Sequence, residues 1–218
     1  MIDFLKHLSY SNIQLFEECP RCWLLKYKYD YQLPVPPSWE FGRTIHKAIE
    51  DYHLLRKIPQ DQEILKYVRV YSSLFKSKDY DDVEKMYEVP IIHPFNDEMI
   101  HPLKLVVRID RIHKGWIHDV KTASGKWKQE DVDGRTQTAL YSYAYRQTFH
   151  KDEEGVQYDV LIKRKGEPTL QPLPTYCSKN DIDKALMWIW QTWDKMVADY
   201  EEGIEVHKIG CKRAEYMP

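Results

Sequence analysis

The residues best placed to do chemistry lie in the segment LKLVVRIDRIHKGWIHDVKT, positions 103–122. If Lys114-Gly115 forms a two-residue hairpin turn, Asp110 falls directly across from Asp119. Two carboxylates opposed on one face of a strand pair have Cβ atoms roughly 5 Å apart, which is unfavourable unless something compensates. A divalent cation compensates. Strand alternation puts Lys121 on the face of Asp119, so two acids and an ammonium converge. Oxygen ligands at this density suit Mg²⁺ or Mn²⁺ rather than zinc. Such an ion lowers the pKa of a bound water and neutralises a scissile phosphate, while a nearby lysine steadies the nucleophile or the pentavalent charge. That is the equipment for phosphodiester hydrolysis. The same spacing also describes an exposed strand pair whose acids happen to be opposed, because Lys-Gly is a weaker turn signal than Asn-Gly.

Several elements must position this hairpin. Ser11 can cap a helix from Asn12 to about Glu18, and Pro20 suits the first turn of a second, Pro20 to Tyr29. After the rigid connector LPVPP, Phe41, Ile45, Ala48, Ile49 and Tyr52 form the stripe of a helix from about Trp39 to Arg56; another follows from Asp61 to Phe75. The texture turns β-rich near Val83, with strands through Tyr87 to Ile91, Leu103 to His113 and Trp116 to Lys121. A helix from Arg135 to Phe149, strands at Val156 to Arg164 and Thr169 to Pro174, and a helix from Asn180 to Glu201 complete the order. The expectation is a single α/β (α+β) domain, a mixed central sheet flanked by helices. Within it, residues 1–82 are mainly helical, 83–174 hold the sheet with one helix, and 175–218 form the C-terminal helix and tail.

Composition narrows the classes further. With 218 residues, 43% of them hydrophobic, the chain can bury a core, and disorder is excluded as the default. Lys and Arg total 32 against 34 Asp and Glu, so bulk charge neither advertises nor excludes a nucleic-acid partner. No apolar run approaches the roughly 18 residues of a membrane span, and the opening MIDFLKHLSYSN lacks an apolar middle, so a cytoplasmic location without membrane contact is expected.

Five ordered motifs reach beyond these arguments. LSYSNIQLFEECPRCWLLKY, FGRTIHKAIEDYH, IDRI at Ile109 to Ile112, HDVKT at His118 to Thr122 and QTALY at Gln137 to Tyr141 resemble the PD-(D/E)XK nuclease superfamily in its RecB-like branch. That branch includes AddB-type recombination nucleases and the CRISPR-associated RecB-like exonucleases. The resemblance runs from about Ser9 to Tyr145 and implies a restriction-endonuclease-like fold. Residue by residue it implies metal binding by His46, Asp110 and Asp119, a catalytic role for Lys121, and DNA contact or site support from Gln137 and Tyr141, with Tyr145 extending their face. Glu50 and His53 follow His46 as surface or supporting residues, and Glu88 on the preceding strand is a candidate further carboxylate. The family's small residue three before the motif aspartate is Val107 here.

In many relatives an early cysteine joins three late ones in an iron-sulfur cluster. Cys19 stands at the early position, but the late CxxC is reduced to Cys211 and Ala214, so a cluster is not expected. A set of Cys19, Cys22, Cys211 and a displaced Cys177 is the alternative. Basic residues gather at Lys126, Lys128 and Arg135, at Lys163-Arg164-Lys165, and at Lys208, Lys212 and Arg213, where they could contact phosphates. Trp127 could stack on an unpaired base. The expected function is a Mg²⁺- or Mn²⁺-dependent deoxyribonuclease, an exonuclease serving recombination, repair, phage replication or CRISPR adaptation, with DNA as partner and any helicase or recombination component supplied separately. A nicking or structure-specific endonuclease and a non-cleaving DNA-binding module are the alternatives.

Overall fold

The structure, a computed structural model, describes residues 2–73 and 82–203. Lys208, Cys211, Lys212, Arg213 and Ala214 lie outside the described residues. The chain opens with α1 (Tyr10–Glu18) and α2 (Pro20–Tyr27). Ser9, not Ser11, caps α1: the Asn12 N–H donates to Ser9 Oγ, and Asn12 Oδ1 accepts from the Ser9 N–H. Asn12 thus does the reciprocal work usually given to Glu or Gln in a capping box, and that moves the start of the helix forward. Pro37 occupies the first turn of α3 (Pro37–Leu55), where its missing N–H costs nothing, and Arg56 ends the helix with φ 57°. Asp61 caps α4 (Gln62–Ser72) through the N–H groups of Glu63 and Ile64.

Five strands build the sheet: β1 (Asp82–Val89), β4 (Leu105–His113), β5 (Trp116–Ala123), β6 (Gly155–Ile162) and β7 (Thr169–Thr175), in the order β1-β4-β5-β6-β7. A small hairpin of β2 (Ile92–His93) and β3 (Asn96–Ile100), absent from the sequence reading, lies between β1 and β4. Pairing is antiparallel except between β5 and β6, whose parallel register needs a crossover that α5 (Thr136–Phe149) supplies. The chain then closes with α6 (Lys179–Glu201). Lys114 and Gly115 do form the β4–β5 turn, with φ of 48° and 81°. Positive φ at both central residues matches the right-handed twist of the flanking strands, and a Cβ on Gly115 would meet Glu154 Cγ at 2.8 Å, so glycine is required there.

Two apolar clusters cover the two faces of the sheet. The larger joins α1, α2, α5 and α6 to strand residues such as Val107, Ile117, Val160 and Ile162. The smaller packs Ile45 and Ile49 of α3 and Ile64, Tyr67, Val68 and Tyr71 of α4 against Val120 and Leu161. The functional residues lie where the edge of this smaller layer meets β4 and β5. Among the described residues no helix is long and apolar enough to cross a membrane.

Candidate active site

The β4–β5 ladder holds from His113↔Trp116 to Arg111↔His118 and stops one pair short of the two aspartates. Where it stops, Asp110 Oδ2 accepts the main-chain N–H of Val120 at 2.7 Å. Asp110 and Asp119 stay near enough for the charge of Asp119 to raise the pKa of Asp110, but different partners hold them. Asp110 meets His46 Nδ1 of α3 at 3.5 Å, while Asp119, 1% exposed, accepts from the Tyr141 hydroxyl of α5 at 2.7 Å and meets Lys121 Nζ at 2.5 Å. Gln137 completes the chain by donating to the Tyr141 hydroxyl at 2.8 Å, an i,i+4 contact on one helix face.

A third acid enters that sequence reasoning missed. Ligand atoms of His46, Glu84 and Asp110 all lie within 4.8 Å of one another. Glu84 belongs to β1, at the position opposite Asp110 in the register that pairs Val83 with Arg111 and Lys85 with Ile109. Its φ of 50° is unusual for a non-glycine strand residue. Arg108 donates to Glu84 Oε2 at 2.7 Å and also approaches Glu50 at 3.7 Å. Glu88, the carboxylate singled out on the same strand, is exposed and paired with Lys104 at 2.8 Å, four residues from Glu84. Both glutamates share one face by strand alternation, so nothing local separates them; the register with β4 does.

Burial raises the pKa of Asp110, the charge of Asp119 raises it further, and His46, Lys121 and the Val120 N–H only partly oppose this. Burial and the neighbouring Asp110 likewise raise Glu84 against the pull of Arg108. Two acids held close enough to resist ionisation together form a site that a cation relieves. One imidazole and two carboxylates are an appropriate donor set for a hard or borderline divalent ion, so His46, Glu84 and Asp110 fit a divalent cation. Burial alone would lower the Lys121 pKa, but Asp119 and Asp110 outweigh it and keep the ammonium charged. Tyr141 is raised well above its ordinary value by burial and by both aspartates, so it remains a donor.

His46, Glu84, Asp110 and Lys121 line a cleft of about 1280 Å³ together with Lys126, Trp127 and Lys163, while Asp119 and Tyr141 are buried behind it. Lys128 is exposed beyond that lining. Trp127 is half-buried, with the Arg135 guanidinium 4.6 Å from its ring centroid and its backbone tied to Gln171. His53 is buried between α3 and α4 rather than at the surface. Cys19 accepts the Cys22 N–H as the cap of α2. Cys177 lies elsewhere: Glu17, near the end of α1, contacts Trp188 and Thr192 in mid-α6, whereas Cys177 precedes the α6 cap. The helix rise separates these places by roughly 15–20 Å. The structure therefore does not bring Cys177 to Cys19 and Cys22, and Cys211 lies outside the described residues.

The chain belongs to the PD-(D/E)XK nuclease superfamily, whose family model matches residues 7–216. A solved protein from Eubacterium rectale, provisionally named an exonuclease, shares the fold with a TM-score of 0.62 at 12% identity, covering 98% of this chain and 89% of its own. Another solved structure, SSO0001, aligns with a TM-score of 0.46 at 12% identity over 88% of this chain and 79% of its own, too slight a likeness to build on. No curated protein sequence matches.

Proposed function

We propose that the protein is a divalent-metal-dependent deoxyribonuclease of the RecB-like branch that hydrolyses phosphodiester bonds from DNA ends. One observation carries the reading: His46, Glu84 and Asp110 converge within 4.8 Å in a cleft that Lys121 also lines. The motif order from Ser9 to Tyr145 supports the branch, and the name given to the Eubacterium rectale protein supports an exonuclease.

His46, Glu84 and Asp110 would hold the ion, with Asp119 beside them. When bound there, a divalent cation supplies positive charge to a phosphate oxygen and acidifies a water. The chain's own groups do the rest. Lys121, kept protonated by Asp119 and Asp110, presents an ammonium to the charge that builds on the phosphate. Asp119 orients that ammonium and is itself fixed by Tyr141, which Gln137 braces in turn. Arg108 holds Glu84 toward the site.

The test is incubation of end-labelled linear DNA and of circular DNA with Mg²⁺, Mn²⁺ or EDTA. Loss of linear DNA with survival of circles, and arrest by EDTA, is expected. Circles cut as fast as linear DNA would move the assignment to an endonuclease. DNA binding without cleavage under any ion would make the chain a non-cleaving module.

A further inference from the structure

Resting on the nuclease reading above, we propose that Gln171 of β7 is a substrate-positioning residue: it fixes the loop that follows β5 so that Lys126 meets a DNA phosphate flanking the one held at the acids. Among the described residues, β7 itself puts nothing into the cleft lining. Its link to the site is a row of paired residues. Lys121 of β5 stands opposite Val160 of β6, and Val160 stands opposite Gln171. Residues paired across a sheet share a face, so Gln171 lies on the side of the sheet that Lys121 uses, two strands away, or roughly 10 Å at the ordinary strand spacing. The loop crosses the gap between them. Trp127 lies over β6, its ring centroid 6.2 Å from that of Tyr158. The Gln171 carboxamide engages both of its main-chain groups: Oε1 accepts the Trp127 N–H at 3.0 Å, and Nε2 donates to the Trp127 carbonyl at 2.8 Å.

Beyond Trp127 the loop follows β7 in the direction of its chain. Gln129 Nε2 donates to the Pro174 carbonyl at 2.8 Å, and Thr175 Oγ1 donates to Asp133 Oδ1 at 2.7 Å. Arg135 then returns over β6, its guanidinium 4.6 Å from the Trp127 ring centroid and 5.5 Å from that of Tyr158, and α5 begins. The loop thus has two anchorages with different consequences. The Gln129 and Asp133 bonds hold the part that leads into α5, whereas Gln171 holds the part that borders the cleft, where Lys126 and Trp127 both form lining. Packing does little for this stretch, since a Cβ on the neighbouring Gly125 would meet nothing within 4 Å. Lys126 is exposed, and a long side chain on an untethered backbone would lose rotamer and backbone freedom together on meeting a phosphate. Tethering the backbone beforehand removes the second loss. Asp119 and Lys121, by contrast, are held by β5 and by the Tyr141 hydroxyl, not by the loop. Freeing the loop should therefore weaken substrate binding and leave the chemical step nearly as it was.

The experiment compares wild type with Gln171→Met, Lys126→Gln, their double variant and Thr175→Val. Gln171→Met keeps the length of the side chain and removes both bonds to Trp127, whereas Thr175→Val removes a bond of the other anchorage. Affinity for a fluorescein-labelled single-stranded 15-mer is read by anisotropy in EDTA across a salt series, and kcat and KM are read on end-labelled linear DNA in Mn²⁺. Gln171→Met and Lys126→Gln should each weaken binding and raise KM by about five- to tenfold, with kcat changed by less than about threefold. In each the slope of log affinity against log salt should fall by about 0.7, and the double variant should fall no further than either single. Thr175→Val should lower Tm by an amount comparable to Gln171→Met and still bind as wild type does. Wild-type binding by Gln171→Met, single losses that add in the double variant, or an equal KM rise in Thr175→Val would overturn the positioning role. If wild type still cleaves DNA in those cases, the nuclease reading stands and only the role of Gln171 falls. A wild type that binds the 15-mer but cleaves under no ion overturns the nuclease reading, and the salt series still decides whether Gln171 places Lys126. A wild type that neither binds nor cleaves overturns both.

Discussion

Replacing Asp119 by alanine takes an acceptor from two donors at once, Lys121 Nζ at 2.5 Å and the Tyr141 hydroxyl at 2.7 Å. Breaking a buried ion pair from one side costs about 3–5 kcal/mol. Lys121 keeps 27% of its side chain exposed and feels Asp110 as a second anion, which lowers the figure to about 2 kcal/mol. The Tyr141 hydroxyl, left without its acceptor, adds about 1 kcal/mol. Against these stands the relief of Asp110, roughly 1 kcal/mol at the dielectric of a partly hydrated site. Asp119→Ala should therefore destabilise the metal-free protein by about 2 kcal/mol while abolishing cleavage. Lys121→Met should cost a similar amount by stranding Asp119. The double variant should lose less than the two singles together, a coupling of about 2 kcal/mol. Urea titrations of all four proteins in EDTA at neutral pH read this directly. Single costs that add to within about 0.5 kcal/mol, or an Asp119→Ala protein more stable than wild type, would refute the reasoning.

Three further outcomes are expected. Glu84→Gln should weaken Mn²⁺ binding by tenfold or more, read as a smaller Mn²⁺-induced rise in Tm and by calorimetric titration, whereas Glu88→Gln should leave both unchanged. Burial first, then Arg111 and Arg56, push His53 from 6.5 down to about 4, so the fold prefers its neutral form. Its contribution, at most about 3 kcal/mol, is complete above the unfolded value and is lost as pH falls from 6.5 toward 4; thermal melts across that window should show the loss, and His53→Gln should flatten it. Gly42→Val should displace α3 from Thr122 and weaken metal binding through His46 one turn away, while Gly42→Ala in a Thr122→Ala background should leave it near wild type; equal metal affinity in Gly42→Val and wild type would contradict the close packing.

The order of elements was readable because each carries its own local signal: the α3 stripe of Ile45, Ile49 and Tyr52, the proline at the start of α2, and the Lys114-Gly115 turn. The motifs placed His46, Asp110, Asp119, Lys121, Gln137 and Tyr141, and the structure draws all six into one connected group. What escaped was non-local. Glu84 reaches the site only through the pairing of β1 with β4, and a hairpin and loop stand between those strands, so the register had no local determinant. The end of the β4–β5 ladder was also hidden, because an ideal two-residue hairpin predicts continued pairing and says nothing of a side chain that accepts a backbone N–H.

The two faces of the sheet are covered unequally, and this bears on how the molecule opens. The α3–α4 layer is held by the smaller apolar cluster and supplies His46, whereas Glu84 and Asp110 belong to the sheet beneath. An ion gripping all three would act as a rivet between layers that are otherwise joined mainly by Ile45, Ile49 and their neighbours. Amide hydrogens of α3 and α4 should then exchange through a partial opening well below the free energy of global unfolding, with those of α5 and the central strands exchanging last. Adding Mn²⁺ should slow exchange in α3 and α4 far more than in α5. Occupancy of the site would thereby be recorded in the breathing of a whole layer.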